Sequence, residues 1–112
     1  MVEQSTALHL DLTFGSLSNV TRRDMLHRVA TEELSVSELS QPYKRSLTFA
    51  AVSKHLMVLE QAGLITKEKR GKLHLVRLAP KALIPAVDYL QQYKDMWEGR
   101  LDALEDYLKT IQ

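Results

Sequence analysis

No cysteine occurs in these 112 residues. Disulfide cross-links, thiolate nucleophiles and soft thiolate metal sites are therefore excluded, and the fold must rest on noncovalent packing, as suits a reducing cytoplasm. Three prolines and four glycines are too few for a collagenous or low-complexity chain, and neither an internal repeat nor a biased segment is present. Long apolar runs are missing too. None approaches the ~20 residues that span a bilayer, so no membrane partner is expected. The opening residues Met1-Val2-Glu3-Gln4-Ser5 lack the basic and apolar regions of a secretory signal, and only the first few and last one or two residues read as loose. A glycine-rich phosphate loop and the His-Glu pattern of metalloproteases are absent as well, so neither a catalytic residue nor a cofactor is expected.

Nor is there an excess of one charge: fifteen lysines and arginines face fourteen acids, for a net charge of +1. The distribution is uneven. Between Pro42 and Arg77 stand eight bases (Lys44, Arg45, Lys54, Lys67, Lys69, Arg70, Lys72 and Arg77) against two acids, Glu60 and Glu68. Residues 1–41 hold three bases and six acids, and residues 80–112 hold four and six. A positive field confined to one stretch is the electrostatic footprint expected of a surface for backbone phosphates.

Within that stretch, Ala50 to Gly63 reads as one helix with two incompatible faces. Val52, Leu56 and Leu59 follow the i, i+4, i+7 spacing of a core-facing side. Ala50, Ser53, Lys54 and Met57 share the other side, which offers small residues, a hydroxyl and a cation but no acid, so a polyanion can approach it closely. Gly63 supplies a left-handed stop. Leu64 to Leu78 follows as two β-prone runs around a cationic tip at Arg70-Gly71-Lys72, the pattern of a hairpin. Upstream, Val36-Ser37-Glu38-Leu39 continues a short helical pattern that Pro42 ends, and Lys44 and Arg45 lie in the connection. Helix, turn, helix and basic hairpin, in that order, predict a mainly α fold with a small β-hairpin. This is the winged helix-turn-helix, whose second helix enters the major groove. Ser53, Lys54 and His55 are adjacent, but neighbours on a helix point about 100° apart and cannot converge as nucleophile and base.

The flanks read as helical. Ala7 to Leu17 carries Leu8, Leu12 and Phe14 as expected core residues; Asn19 then offers an N-cap for Val20 to Ala30, with Met25, Leu26 and Val29 on one side. Arg22 and Arg23 open this second helix, where cations oppose the helix dipole. Either a phosphate or an ion pair with Glu32, Glu33 or Glu38 would account for them. From Pro85 to Leu108 a long helix carries Leu83, Val87, Leu90, Trp97, Leu101, Leu104 and Leu108 on a 4,3 alternation broken at Lys94, with Tyr93 beside the break. Such a stripe calls for a second long helix, and the chain has none. The first helix, through Leu8 and Leu12, can cover part of it, and a symmetric second subunit is the economical cover for the rest. A cofactor or lipid pocket along its aromatic residues is the alternative. By length, residues 1–112 form one domain whose high surface fraction favours dimerisation through the C-terminal helix, about residues 85–108.

Four segments carry a more specific signal: Ser18 to Leu26, Val36 to Leu39, Ala51 to Ile65 and Trp97 to Asp102. In order and spacing they resemble the ArsR-type winged-helix transcriptional repressors. The resemblance implies a homodimeric repressor of a palindromic operator, often its own promoter. It places Ser53, Lys54 and His55 against DNA, Lys69 to Lys72 at the wing tip, and Arg22 and Arg23 in the basic pair opening the second helix. His55, which the wheel puts between core and groove faces, is thereby assigned to DNA. The chain departs from the family pattern at Val20 (usually Pro), at Asp24 (often a base), at Met57 (often Lys or Arg) and in the stretch Tyr43 to Thr48, about two residues longer than usual. Where metalloid-sensing members carry Glu-Leu-Cys-Val-Cys-Asp-Leu, this chain has Glu33-Leu34-Ser35-Val36-Ser37-Glu38-Leu39, and hydroxyls are poor ligands for soft metals. The last helix has acids but no histidine. His9, His27 and His74 lack a paired helical spacing, so no metal site is expected. The expected function is therefore sequence-specific binding of double-stranded DNA by a cytoplasmic, metal-independent regulator, its effector, protein or small molecule, unspecified. A winged-helix dimer serving mainly as a protein-interaction module is the alternative that Met57 and the longer turn raise.

Overall fold

Five helices and three short strands make up the computed structural model, which describes the backbone of residues 2–111 and the side chains of residues 6–111. Met1 and Gln112, expected to be loose, lie outside the described residues. In chain order the elements are α1 (Val2–Leu17), α2 (Val20–Thr31), β1 (Leu34–Ser35), α3 (Val36–Ser40), a 3-10 turn at Gln41–Tyr43, α4 (Phe49–Gln61), β2 (Ile65–Arg70), β3 (Leu73–Leu78), a second 3-10 turn at Pro80–Leu83 and α5 (Ile84–Thr110). Local chemistry sets these boundaries. Asn19 caps α2 by accepting from the Arg22 amide at 3.1 Å. Ser35 and Glu38 form a reciprocal capping box on α3: the Ser35 hydroxyl accepts from the Glu38 amide and the Ser35 amide donates to the Glu38 carboxylate, which holds that carboxyl below the usual range. Both 3-10 turns and α5 start with a proline in their first two positions, where its missing N–H removes nothing.

The core joins Met25 and Val29 of α2, Leu39 of α3, Val52, Leu56 and Leu59 of α4, and Leu34, Ile65 and Val76 of the strands. The sheet has the order β1-β3-β2 and is antiparallel throughout. A two-strand hairpin was the sequence expectation; β1 adds a third strand by pairing Leu34 with Val76 and Ser35 with Leu75. Two residues are too short to show an alternation, but they tie the wing to the start of α3.

Two expectations for α1 need correction. The helix begins at Val2 rather than Ala7. Leu8 and Leu12 are exposed, 61% and 40%, while the fully buried residues of α1 among the described side chains are Thr13 and Ser16. Small hydroxyl side chains let α1 lie close to its neighbours, and the Ser16 hydroxyl donates to the Thr13 carbonyl at 2.8 Å. Toward α5, His9 meets the Ala82 carbonyl at 2.9 Å, and Phe14 packs edge-on against Tyr89. Beyond that contact α5 stands alone. Ala86 is its one buried residue among those described, and Val87, Leu90, Tyr93, Trp97, Leu101, Leu104 and Leu108 are all exposed. The radius of gyration, 19.2 Å, exceeds the roughly 13 Å of a compact chain of this length because this helix projects from the body.

Candidate nucleic-acid interface

Helix α4 is fixed at both ends, and this sets the face it shows to solvent. The Thr48 hydroxyl accepts from the Ala51 amide at 3.1 Å. At the other end Gly63 adopts φ +77°, its amide donating to the Glu60 carbonyl (2.9 Å) while Leu64 donates to Leu59 (3.0 Å), which together form a Schellman stop. Val52, Leu56 and Leu59 are buried as their spacing predicts; Ala50, Lys54 and Met57 are exposed and Ser53 is half-buried on the opposite side. Phe49, which the sequence reading passed over, is 63% exposed in the first turn.

The connection from α3 to α4 is braced by side chains. The Tyr43 hydroxyl donates to the Asp24 carboxylate, and the Arg28 guanidinium lies 5.6 Å above the Tyr43 ring. Arg28 also donates to the Leu39 carbonyl at 2.6 Å and the Glu38 carbonyl at 3.2 Å, closing the end of α3. Partial burial and the bond to Asp24 push the Tyr43 phenol up from its ordinary value. The acid at position 24 and the long turn at 43–48 are thus one structural feature: Asp24 anchors the residue that begins the turn. Lys44 and Arg45 remain exposed on its outer side.

In the wing, Gly71 takes φ +60°, and among the described residues none other than glycine has positive φ, so the two-residue loop Gly71-Lys72 has the glycine-first pattern of a type II′ turn. Strand alternation then sorts the charges. Lys67 and Lys69 project from one face, with Lys69 opposite His74. Glu68, Arg70 and Arg77 occupy the other, where Arg77 pairs with Glu33 and with Glu68 (3.5 Å), and Arg70 pairs with Glu68 (3.4 Å) and Glu33 (3.9 Å). The hydrogen bond to Glu33 raises the Arg77 pKa still further. Lys67 lies 3.6 Å from Glu60. Lys44, Arg45, Lys54, Lys69 and Lys72 have no ion-pair partner among the described residues. Between the wing and α4 runs a groove of about 310 Å3 whose lining includes Ser37, Phe49, Ser53, Lys67, Lys72 and His74 and no carboxylate.

The basic pair that opens α2 is used inside the fold. Arg23 donates to the Leu17 carbonyl at 2.8 Å. Arg22 donates from Nε to the Ser16 carbonyl (2.7 Å), from one terminal nitrogen to the Gly15 carbonyl (3.3 Å) and from the other to His55 Nδ1 (3.1 Å). The ion pairs with Glu32, Glu33 or Glu38 do not form among the described residues; in the protein alone both arginines instead neutralise the negative end of α1. His55 is half-buried, and burial together with the Arg22 charge lowers its pKa, which favours the neutral ring.

A winged helix with this exposed helix face has close relatives. The model of the bacterial regulatory protein arsR family matches residues 19–67, which run from the cap of α2 into β2. The uncharacterised HTH-type transcriptional regulator YuzN of Bacillus subtilis (strain 168) is 38% identical over 71 residues, covering 59% of this chain and 77% of that one. The chain belongs to the ArsR family. This ArsR-family protein also superposes on the crystal structure of an ArsR family transcriptional regulator with TM-score 0.75 and 26% identity, over 82% of this chain and 93% of the other. An ArsR-like transcriptional regulator from Rhodococcus sp. RHA1 matches at TM-score 0.71 and 26% identity, over 91% and 94%. Like these relatives, it is a transcriptional regulator and not an enzyme. No helix among its described residues is long and apolar enough to cross a membrane.

Proposed function

We propose that this ArsR-family regulator is a cytoplasmic homodimer that binds a palindromic operator in double-stranded DNA and represses transcription, with the whole of residues 1–112 acting as one unit. The observation that carries this reading is the exposed face of α4, Ala50, Ser53, Lys54 and Met57, set beside a carboxylate-free groove and a wing whose Lys69 and Lys72 are unpaired. Ser53 and Lys54 contact base edges. Lys69 and Lys72 meet phosphate across the groove, and Lys44 and Arg45 reach the backbone from the turn. Arg70 and Lys67 contribute less than their charge suggests, because carboxylates already hold them.

The regulator acts without a metal inducer. Ser35, at one of the two thiolate positions of the metalloid-sensing run, is buried and committed to capping α3, and Ser37 stands at the other. The dimer forms through α5 and the exposed Leu8 and Leu12 of α1, with the effector left to a partner protein or a small molecule.

The test uses a duplex enriched from random-sequence DNA by repeated binding. Lys54→Ala costs about 1–3 kcal/mol on that duplex and little on unrelated DNA if Lys54 makes a base contact. Equal, salt-independent binding by the unmodified protein and the variant on both DNAs would favour the protein-interaction module instead.

A further inference from the structure

His55 sits on the DNA-reading helix between Lys54, which is exposed, and Leu56, which is buried. Its Nδ1 lies 3.1 Å from a terminal nitrogen of Arg22. A guanidinium has donors only and does not lose its proton, so Nδ1 must be the acceptor. The ring is then the Nε2–H tautomer, with one N–H that has no acceptor among the described residues. The remaining donors of Arg22 hold Gly15 and Ser16, the last turn of α1. One side chain therefore ties the end of α1, the start of α2 and the middle of α4. It also joins the layer that packs on α5 to the helix that faces DNA.

We propose that Arg22 is a positioning residue that holds His55 as a neutral Nε2–H donor to an acceptor on DNA, so that operator recognition is lost when His55 gains a second proton. This rests on α4 being the DNA-reading helix. Protonation would place an N–H on Nδ1 directly against the Arg22 donor, two cations facing at hydrogen-bond distance. The tie then opens, and α4 loses its rotational setting on α1. Arg22 from α2 is the charged group that acts on the ring; α1 offers it only backbone carbonyls through Arg22, and on α4 itself the neighbouring charge is Lys54. No carboxylate bears on it to stabilise the imidazolium.

The sign separates this from ordinary electrostatics. Added positive charge at low pH strengthens binding to any DNA through phosphate contacts. Here the ratio of affinities for the enriched duplex and for random duplex falls as pH drops through the His55 value, which burial and the Arg22 charge hold below the ordinary histidine range. Folding stability changes in the same direction: a depressed histidine pKa gives stability that is present above the unfolded-state value and is lost as pH falls through the folded-state value.

Fluorescence anisotropy on both duplexes at pH 7.5 and 5.5 tests the proposal. The ratio for the unmodified protein falls between pH 7.5 and pH 5.5, toward a limit of about tenfold for each unit of pKa separation between the free and the operator-bound protein. His55→Asn, whose amide oxygen can accept from Arg22 but does not titrate, gives a ratio that does not change with pH. Arg22→Lys, which keeps the charge but not the three-way fork, lowers the ratio at pH 7.5. Nitrogen-15 NMR of the imidazole in the DNA-free protein gives a readout independent of DNA: Nε2–H in the unmodified protein and a mixture of tautomers in Arg22→Lys. A ratio that is flat or rises on acidification, or an Nδ1–H tautomer, would overturn the proposal while leaving DNA reading by α4 intact. Failure to discriminate the two duplexes at pH 7.5 would overturn both.

Discussion

Lys69 and Lys72 differ from Arg70 and Arg77 in what already holds them. The two arginines share Glu33 and Glu68 in an exposed four-residue cluster. Such pairs contribute about 0–1 kcal/mol to stability, so the consequence of the cluster is electrostatic: it neutralises one face of the wing and leaves the other cationic. Lys72→Ala should lower the slope of log K against log salt by about one unit, as expected for one lost phosphate contact, on specific and random DNA alike. Arg70→Ala should change that slope less, since Arg70 must leave two carboxylates to reach a phosphate. Titrations at several salt concentrations check both, and an equal loss for the two variants would show that the cluster opens on binding. At this scale the sequence was legible where periodicity governs, as with Val52, Leu56, Leu59 and Lys54. It was silent where a side chain reaches far along the chain. Arg22 meets His55 thirty-three positions away, and Arg77 meets Glu33 forty-four positions away, and no local pattern encodes such pairings.

Among the elements, α4 and the hairpin follow from local rules. A threonine cap, an apolar stripe and a glycine stop define the helix; β-branched arms and a glycine tip define the wing. Gly63 is the most exacting of these positions, because φ +77° is unfavourable for any residue with a Cβ and an added Cβ would lie 3.4 Å from that of Ala82. Gly63→Ala should therefore destabilise the fold by about 1–2 kcal/mol, read as a lower urea midpoint with unchanged slope. No change in midpoint would mean that the stop adjusts without strain. The elements that escaped the sequence reading have identifiable reasons. β1 is two residues long and owes its existence to β3. The early start of α1 carries no apolar periodicity, and its buried face is made of Thr13 and Ser16, which hydropathy patterns cannot mark as core.

For the molecule as a whole, the projecting α5 is the feature that needs a partner. Ten large apolar or aromatic side chains from Val87 to Leu108 lie along it exposed, and Leu8 and Leu12 of α1 are exposed as well. Burying a large apolar side chain contributes roughly 1.5–3 kcal/mol, so leaving all of these in water would be a substantial loss that a second copy of the same helix recovers. Leu101→Asp should dissociate the dimer, with sedimentation velocity showing a dimer for the unmodified protein at micromolar concentration and a monomer for the variant. An unmodified protein that sediments as a monomer would contradict the dimer. Two-fold symmetry in the proposed dimer would imply two-fold symmetry in its DNA. The most direct test of that claim is to select duplexes from random-sequence DNA with the purified protein and to measure the stoichiometry on the enriched sequence. The prediction is an inverted repeat, its half-sites separated by about 10–10.5 base pairs or a multiple, bound by two protomers. Enrichment of no sequence, or of an asymmetric one bound by a single protomer, would contradict it.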